Sequence, residues 1–452
     1  MIRIKVMKFG GTSVATPEAR LIAAHKVVAA KEAGFNPVVV VSAIGRAGSP
    51  YATDTLLALL RDVDPLVSPE PREVDLMLAC GEILSTCVFA QTLKSLGLRA
   101  SAMTGGQAGL ITDGTYGNAR ITEVHPDDVF KVIRAGRIPV VCGFQGSSRT
   151  NSESVHGEIT TLGRGGSDTT ASALGAALGA EAVEIFTDVD GVKTADPSMA
   201  PDAPTLRKMT YEEVAEIAHQ GAKVLHPRAA EIAMKFGIPL WVKNTFSEEP
   251  GTEIVTRDKF PGRRVTGVTH TGKLIYLQFD SPFGADKAAI EARVYELMAD
   301  YRINLFMLNA HPSSFGFAVP RKQLANVKEI LDGLVIPMED GNPRTYVLQI
   351  GRGGSTEVAA QERMLRNVPR FGEIRKCIAK LTENCTMVSL IAHDYLQQPG
   401  IYLRVMECLE KGSVNVLQTS DSQLSLSVLV LESDCERAVR LLHDEFELRG
   451  AV

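Results

Sequence analysis

The chain has 452 residues, too many for one compact core, so two to four domains are expected. Hydrophobic residues at 45% and charged ones at 22% exclude a disordered or fibrous chain. A formal net charge of -5 with no stripe of Lys and Arg excludes nucleic acid as a main partner, and seven scattered cysteines, never in CxxC or zinc-ligand spacing, read as reduced cytosolic thiols.

In chain order, Ile2 to Phe9 is the first expected strand. Thr16 and Pro17 then supply an N-cap and a first-turn proline for a helix ending before Gly34, and Pro37 to Ala43 is the next buried strand. Cys80 and Cys87, one heptad apart, are expected on the core face of a helix. Thr210 to Glu213 has capping-box spacing, so a helix should run from there towards Gly221. Strands alternating with amphipathic helices from residue 2 to about 245 predict an α/β domain, a mostly parallel sheet covered by helices on both faces.

A polar, Pro- and Gly-bearing stretch at 247–266 reads as a linker. Beyond it, two βαββα units are expected, in domains at 267–335 and 385–452, with residues 336–384 intervening. The strands and helices of the first are Lys273 to Phe279, Asp286 to Tyr301, Ile303 to Asn309, Ser314 to Val319 and Gln323 to Leu334. Those of the second are Met387 to Ala392, Pro399 to Lys411, Val414 to Thr419, Leu424 to Leu431 and Cys435 to Phe446. The N-terminus shows no signal pattern and no apolar run approaches the ~20 residues that cross a bilayer, so a cytoplasmic protein without a membrane partner is expected.

Three segments carry chemistry. Lys8-Phe9-Gly10-Gly11-Thr12-Ser13 ends the first strand with adjacent glycines, whose backbone N–H groups can approach an anion closely, beside a compact positive charge. The same letters also suit a tight turn. Gly163-Arg164-Gly165-Gly166-Ser167-Asp168 runs into a small-residue helix, where free N–H groups and the helix dipole suit a carboxylate or phosphate, and Arg164 can grip a carboxylate bidentately. An ordinary glycine-rich loop is the plainer reading. Thr187-Asp188-Val189-Asp190-Gly191-Val192 follows a strand, at the end where open α/β sheets bind ligands, although an Asp-Gly turn would look alike. Lys223 and Arg228 are single basic residues near helix ends. Gly351-Arg352-Gly353-Gly354-Ser355 repeats the second motif's letters without its Asp and reads as a flexible loop.

Taken in order, KFGGTSV (8–14), VVVVSAIG (38–45), CGE (80–82), GRGGSD (163–168), FTDVDGVKTADP (186–197) and GAKVLHPRA (221–229) closely resemble the aspartokinases of the amino acid kinase family. The C-terminal units resemble two ferredoxin-like ACT (βαββαβ-type) domains. The resemblance implies that ATP, with Mg²⁺, phosphorylates the side-chain carboxylate of L-aspartate, the N-terminal lobe holding aspartate and the C-terminal lobe the nucleotide. It implies Lys8 at the transferring phosphoryl, Phe9, Gly10, Gly11 and Ser13 at the phosphates, and Asp168 organising Lys8. Ser42 would stand in the site, Thr53 and Glu82 at the amino end of aspartate, and Arg164, Gly165, Gly166 and Ser167 at its carboxylate. Thr187, Asp188, Lys193, Asp196 and Lys223 would line the nucleotide site, and no protein metal ligand is expected.

The family further implies a homodimer or higher homo-oligomer with feedback by lysine, threonine or diaminopimelate. Gln398-Pro399-Gly400 is similar to the family's Pro-Gly turn, whereas Ser281-Pro282-Phe283-Gly284 interrupts it. With no homoserine dehydrogenase segment in the text, a monofunctional enzyme is expected. A carboxylate kinase for glutamate or acetylglutamate on the same fold, or an amino acid sensor on an inactive kinase scaffold, are the alternatives.

Overall fold

A computed structural model describes residues 2–450 apart from 65–66, 149–156, 223, 261–262, 281–284, 339–343, 352–355, 367, 369–370 and 394. The chain forms two compact units: residues 1–197, 202–267 and 448–452 make the first, and 198–201 with 268–447 the second.

The first unit is built on an eight-stranded sheet. From edge to edge its strands are Lys208–Thr210, Thr252–Val255, Leu240–Asn244, Ala182–Thr187, Ile4–Phe9, Asn36–Val41, Ile138–Cys142 and Ala100–Met103. All neighbours run parallel except Leu240–Asn244 against Thr252–Val255. Central strands need apolar residues on both faces, and Val38 to Val41 are wholly buried. Helices Pro17–Glu32 and Pro71–Ser95 pack on one face, and Gly166–Leu178 on the other. The last lies close because it is made of small residues: a β-carbon on Gly175 would sit 2.4 Å from Val183 Cγ2. On the opposite face Phe9 stacks between Phe89 and Phe186, with ring centroids 5.4 and 4.8 Å away.

Local signals hold at the helix ends. Thr16 caps Pro17–Glu32 by accepting from Ala19 N, and Thr210 and Glu213 close a reciprocal capping box on Tyr211–His219. A smaller sheet, ordered Ile121–Val124, Leu110–Thr112, Gln145–Ser148, Glu158–Thr161, leads the chain into the glycine-rich loop at 163.

Two expectations are corrected here. Residues 247–266 contain the strand Thr252–Val255, hydrogen-bonded between two strands of the main sheet, so this stretch belongs to the first unit; cross-strand pairing, not its own periodicity, makes it a strand. Cys80 and Cys87 are exposed, because the helix turns its Asp75, Leu78, Glu82 and Phe89 side inward instead. That helix, Pro71–Ser95, is also long and apolar enough by composition to span a bilayer, but half of its apolar window is buried in the unit.

In the second unit Phe306–His311, Ser314–Pro320, Gly267–Asp280, Glu373–Ile391, Arg344–Ile350 and Val335–Met338 form one sheet in that order, with Ser425–Leu431 and Gln418–Asp421 joined through Glu373–Ile391. Helices Ala285–Asp300, Leu324–Leu331, Ile401–Lys411 and Cys435–Glu445 answer the expected repeat. Residues 336–384 are not merely intervening: Arg344–Ile350 lies parallel to Glu373 to Ala379, and its Tyr346 and Leu348 share a core with Phe279, Phe315 and Phe317. The turn at 281–284 and most of the loop at 351–355 lie outside the described residues.

Candidate active site

The strand order reverses around Ile4–Phe9: the chain first adds strands on one side, then returns to place Ala182–Thr187 on the other. Such a switch point leaves a crevice at the carboxyl ends of the strands. Gly10 occupies it, its N–H donating to Phe186 O at 3.2 Å. Gly11 is required by its neighbours, since a β-carbon there would sit 2.4 Å from Gly45 O and 2.9 Å from Ala43 O. The double glycine thus lets the first-strand loop lie flat against the loop after Asn36–Val41. Ser42 follows that strand, its N–H donating to Phe9 O at 3.1 Å.

Lys8 brings a buried positive charge to the crevice. Its Nζ lies 2.7 Å from Asp168 Oδ1, and both side chains are about nine-tenths buried. Asp168 comes from the first turn of Gly166–Leu178, and its Oδ2 accepts the His226 N–H at 3.3 Å. Gly165, the N-cap, has φ 71°, and a β-carbon would fall 2.4 Å from the His226 ring. His226 itself caps Pro227–Phe236, and burial lowers its pKa, keeping the ring neutral beside the ion pair. Ser167 packs on Gly143, and Arg164 is exposed with no partner among the described residues.

Glu82 reaches the site from Pro71–Ser95. It is 2% exposed; Oε1 accepts Ala43 N–H at 2.9 Å, and Oε2 has no partner among the described residues. Burial raises its pKa to about 8. A buried carboxyl with a free oxygen suits an incoming ammonium. Thr53, half-buried, starts the helix Thr53–Arg61.

On the other flank, Thr187 Oγ1 donates to Asp188 Oδ1 at 3.2 Å, and Asp188 Oδ2 is 2.6 Å from Arg46 Nη2. Arg46 was not singled out from sequence, although it sits just beyond a strand's carboxyl end; His226 as a cap was missed as well. Asp190 is a brace, held below the usual carboxylate range by Asn244 and Ser247. Lys193 Nζ donates to Ala203 O at 3.3 Å, Asp196 is exposed, and Lys223 lies outside the described residues. The Ser13 hydroxyl is fully buried, 2.6 Å from Thr245 Oγ1, and so ties the loop down rather than facing the crevice. Arg228 donates to Leu162 O and Asn118 Oδ1. The structure therefore gathers Lys8, Gly10, Gly11, Ser42 and Asp168 around one crevice end, with Glu82 hydrogen-bonded to its Ala43 loop.

A protein-family model for the amino acid kinase family matches residues 3–244, and one for the ACT domain matches 388–446. Aspartokinase 1 of Bacillus subtilis is 37% identical, with 99% of this chain and 100% of that protein covered. The chain belongs to the aspartokinases of the amino acid kinase family. Among solved structures, E. coli aspartokinase III in complex with aspartate and ADP (R-state) superposes with TM-score 0.70 at 22% identity, covering 98% of this chain and 100% of that one. The same E. coli protein with lysine and aspartate (T-state) gives 0.67 at 22%, covering 98% and 99%. The aspartokinase fold thus extends over both units, ACT region included.

Proposed function

We propose that this aspartokinase transfers the γ-phosphoryl of ATP to the side-chain carboxylate of L-aspartate, giving 4-phospho-L-aspartate, the first step towards lysine, threonine, methionine and diaminopimelate. The observation that carries it is a complementary pair of unmet groups: among the described residues the Glu82 carboxyl has an unpartnered Oε2 inside the site and the Arg164 guanidinium has no partner at its lip. An α-amino acid has the complementary pair, an ammonium for Glu82 and an α-carboxylate for Arg164 with the Gly165, Gly166 and Ser167 backbone. Thr53 and Ser42 complete the substrate side.

A side-chain carboxylate, with a pKa of about 4, is ionised at neutral pH and attacks without a general base. The neutral His226 agrees with that. As the new O–P bond forms, the bond from γ-phosphorus to the bridging oxygen breaks and its electron pair leaves with ADP. Lys8 bears on the transferring group, directed by Asp168, while the Phe9, Gly10 and Gly11 backbone faces the phosphates and Ser13 holds that loop. Thr187, Asp188, Lys193 and Asp196 are assigned to the nucleotide side. Mg²⁺ would enter with the phosphates, neutralising their charge; among the described residues no cluster of His, Cys, Asp or Glu forms a cage for it.

An amino acid effector, lysine, threonine or diaminopimelate, is assigned to the ACT region, with a homodimer or higher homo-oligomer and a cytoplasmic location. Support comes from the ACT match at 388–446 and from the E. coli relative solved with lysine. Hydroxamate trapping of acyl phosphate with ATP, Mg²⁺ and aspartate, beside glutamate and N-acetylglutamate and with each effector, tests the reading. Aspartate-dependent product inhibited by one amino acid is expected; amino acid binding without product would point to a sensor.

A further inference from the structure

Asp75 is fully buried on Pro71–Ser95, seven residues and two helical turns before Glu82, so both side chains lie on one face about 10 Å apart along the axis. No cation meets it among the described residues. Its charge is met by hydrogen-bond donors alone: Gly117 N–H is 3.0 Å from each oxygen, Thr161 N–H donates to Oδ2 at 2.7 Å, and Thr161 Oγ1 donates to Oδ1 at 2.7 Å.

Those donors belong to two chain segments that meet where the substrate loop begins. Thr161 ends the strand Glu158–Thr161, two residues before Gly163, and its carbonyl accepts Ala119 N–H at 2.9 Å. Gly117 and Asn118 wall Gly163 so closely that a β-carbon there would lie 3.1 Å from Gly117 O and from Asn118 Oδ1. From Gly163 the chain passes through Arg164 to Asp168, the partner of Lys8. One carboxylate therefore ties both segments to the helix that carries Glu82.

We infer that Asp75 is a positioning residue: it holds the Gly163–Ser167 loop in register with Glu82, so that a single rigid helix sets the distance between the subsites for the substrate's ammonium and its α-carboxylate. This rests on Glu82 and Arg164 serving those subsites. Asp75 touches no substrate; it acts through the loop, and its effect belongs to amino acid binding rather than to the nucleotide.

Asp75→Asn presents an NH₂ group to backbone donors in place of an acceptor oxygen, and Thr161→Val removes only the hydroxyl donor. Steady-state turnover by hydroxamate trapping, with aspartate and ATP varied in turn, reads the effect. In Asp75→Asn the KM for aspartate should rise about tenfold or more, the scale of one lost charged hydrogen bond, with the KM for ATP within about twofold. The preference for aspartate over glutamate should narrow. Thr161→Val should move the same constants in the same direction by less, and it decides the matter if Asp75→Asn does not fold. An unchanged aspartate KM in the folded variants overturns the inference, as does a parallel rise of both KM values with a lowered Tm. A parent enzyme inactive on aspartate would remove the reading of the site, and this inference with it.

Discussion

Lys8 and Asp168 lie 2.7 Å apart although they come from different layers, a central strand and the first turn of a covering helix. Their pairing joins the end of the first strand to the helix that follows the glycine-rich loop at 163–167. In Lys8→Ala, kcat should fall by about 10²–10³, the usual cost of losing one transition-state contact, and Asp168 would be left as an uncompensated charge costing on the order of 3 kcal/mol. Lys8→Ala with Asp168→Asn should regain most of the lost Tm but none of the activity. Near-normal turnover in Lys8→Ala would remove Lys8 from the mechanism.

Glu82 makes the empty enzyme less stable as pH rises. Its folded pKa, about 8, lies above the ordinary 4.5, so between those values the folded state binds more protons than the unfolded one, and stability falls with increasing pH by at most about 1.4 kcal/mol per unit. Thermal melts of Glu82→Gln and its parent should diverge between pH 5 and pH 8, the variant gaining steadily. Parallel curves would mean that Glu82 is ionised throughout. Aspartate, through its ammonium, should shrink the divergence.

Gly165→Ala should damage the substrate side directly. The position has φ 71° and its β-carbon would enter the His226 ring at 2.4 Å, so either the loop or the cap must move. A rise in aspartate KM of at least about tenfold is expected, together with a lower Tm. An unaltered KM would show that the loop tolerates displacement.

Thr210→Ala offers a control away from chemistry. Loss of the capping box costs about 1 kcal/mol, or roughly 2–4 °C in Tm for a unit of this size, with kcat and both KM values unchanged. A Tm drop above about 10 °C in differential scanning calorimetry would mean that the cap supports more than its own helix.

The parts legible from sequence were those governed by local rules. Paired glycines after a strand, a glycine-rich turn into a small-residue helix and the Thr210 to Glu213 box each encode their own conformation. Asp75 and Arg46 escaped notice because their partners lie 86 and 142 positions away, at Thr161 and Asp188, and no local pattern predicts such pairing. Thr252–Val255 is too short to show a period, and only its neighbours make it a strand. Glu373–Ile391 begins with scattered charges that show no strand period and fall in the segment read only as intervening, yet it lies between Gly267–Asp280 and Arg344–Ile350 in the sheet. For Cys80 and Cys87, a heptad placed both on one face but could not say which face the rest of the unit would cover.

The Glu373–Ile391 strand changes how the second unit can be divided. Its first half runs parallel to Arg344–Ile350 and its second half antiparallel to Ser425–Leu431, so one unbroken length of backbone serves both repeats. A truncation at residue 384, where the repeat spacing invites a cut, would sever that strand midway. The shortened piece would keep Glu373 to Ala379 paired but lose Cys385 to Ile391 together with its partner Ser425–Leu431. The detached piece would keep Cys385 to Ile391 paired with Ser425–Leu431 but carry it away from the sheet of Gly267–Asp280 and Arg344–Ile350, and a strand cut off from its sheet is a ready template for intermolecular pairing. The two repeats are therefore inseparable as expression fragments, and any exchange of regulatory modules between relatives has to transplant them together.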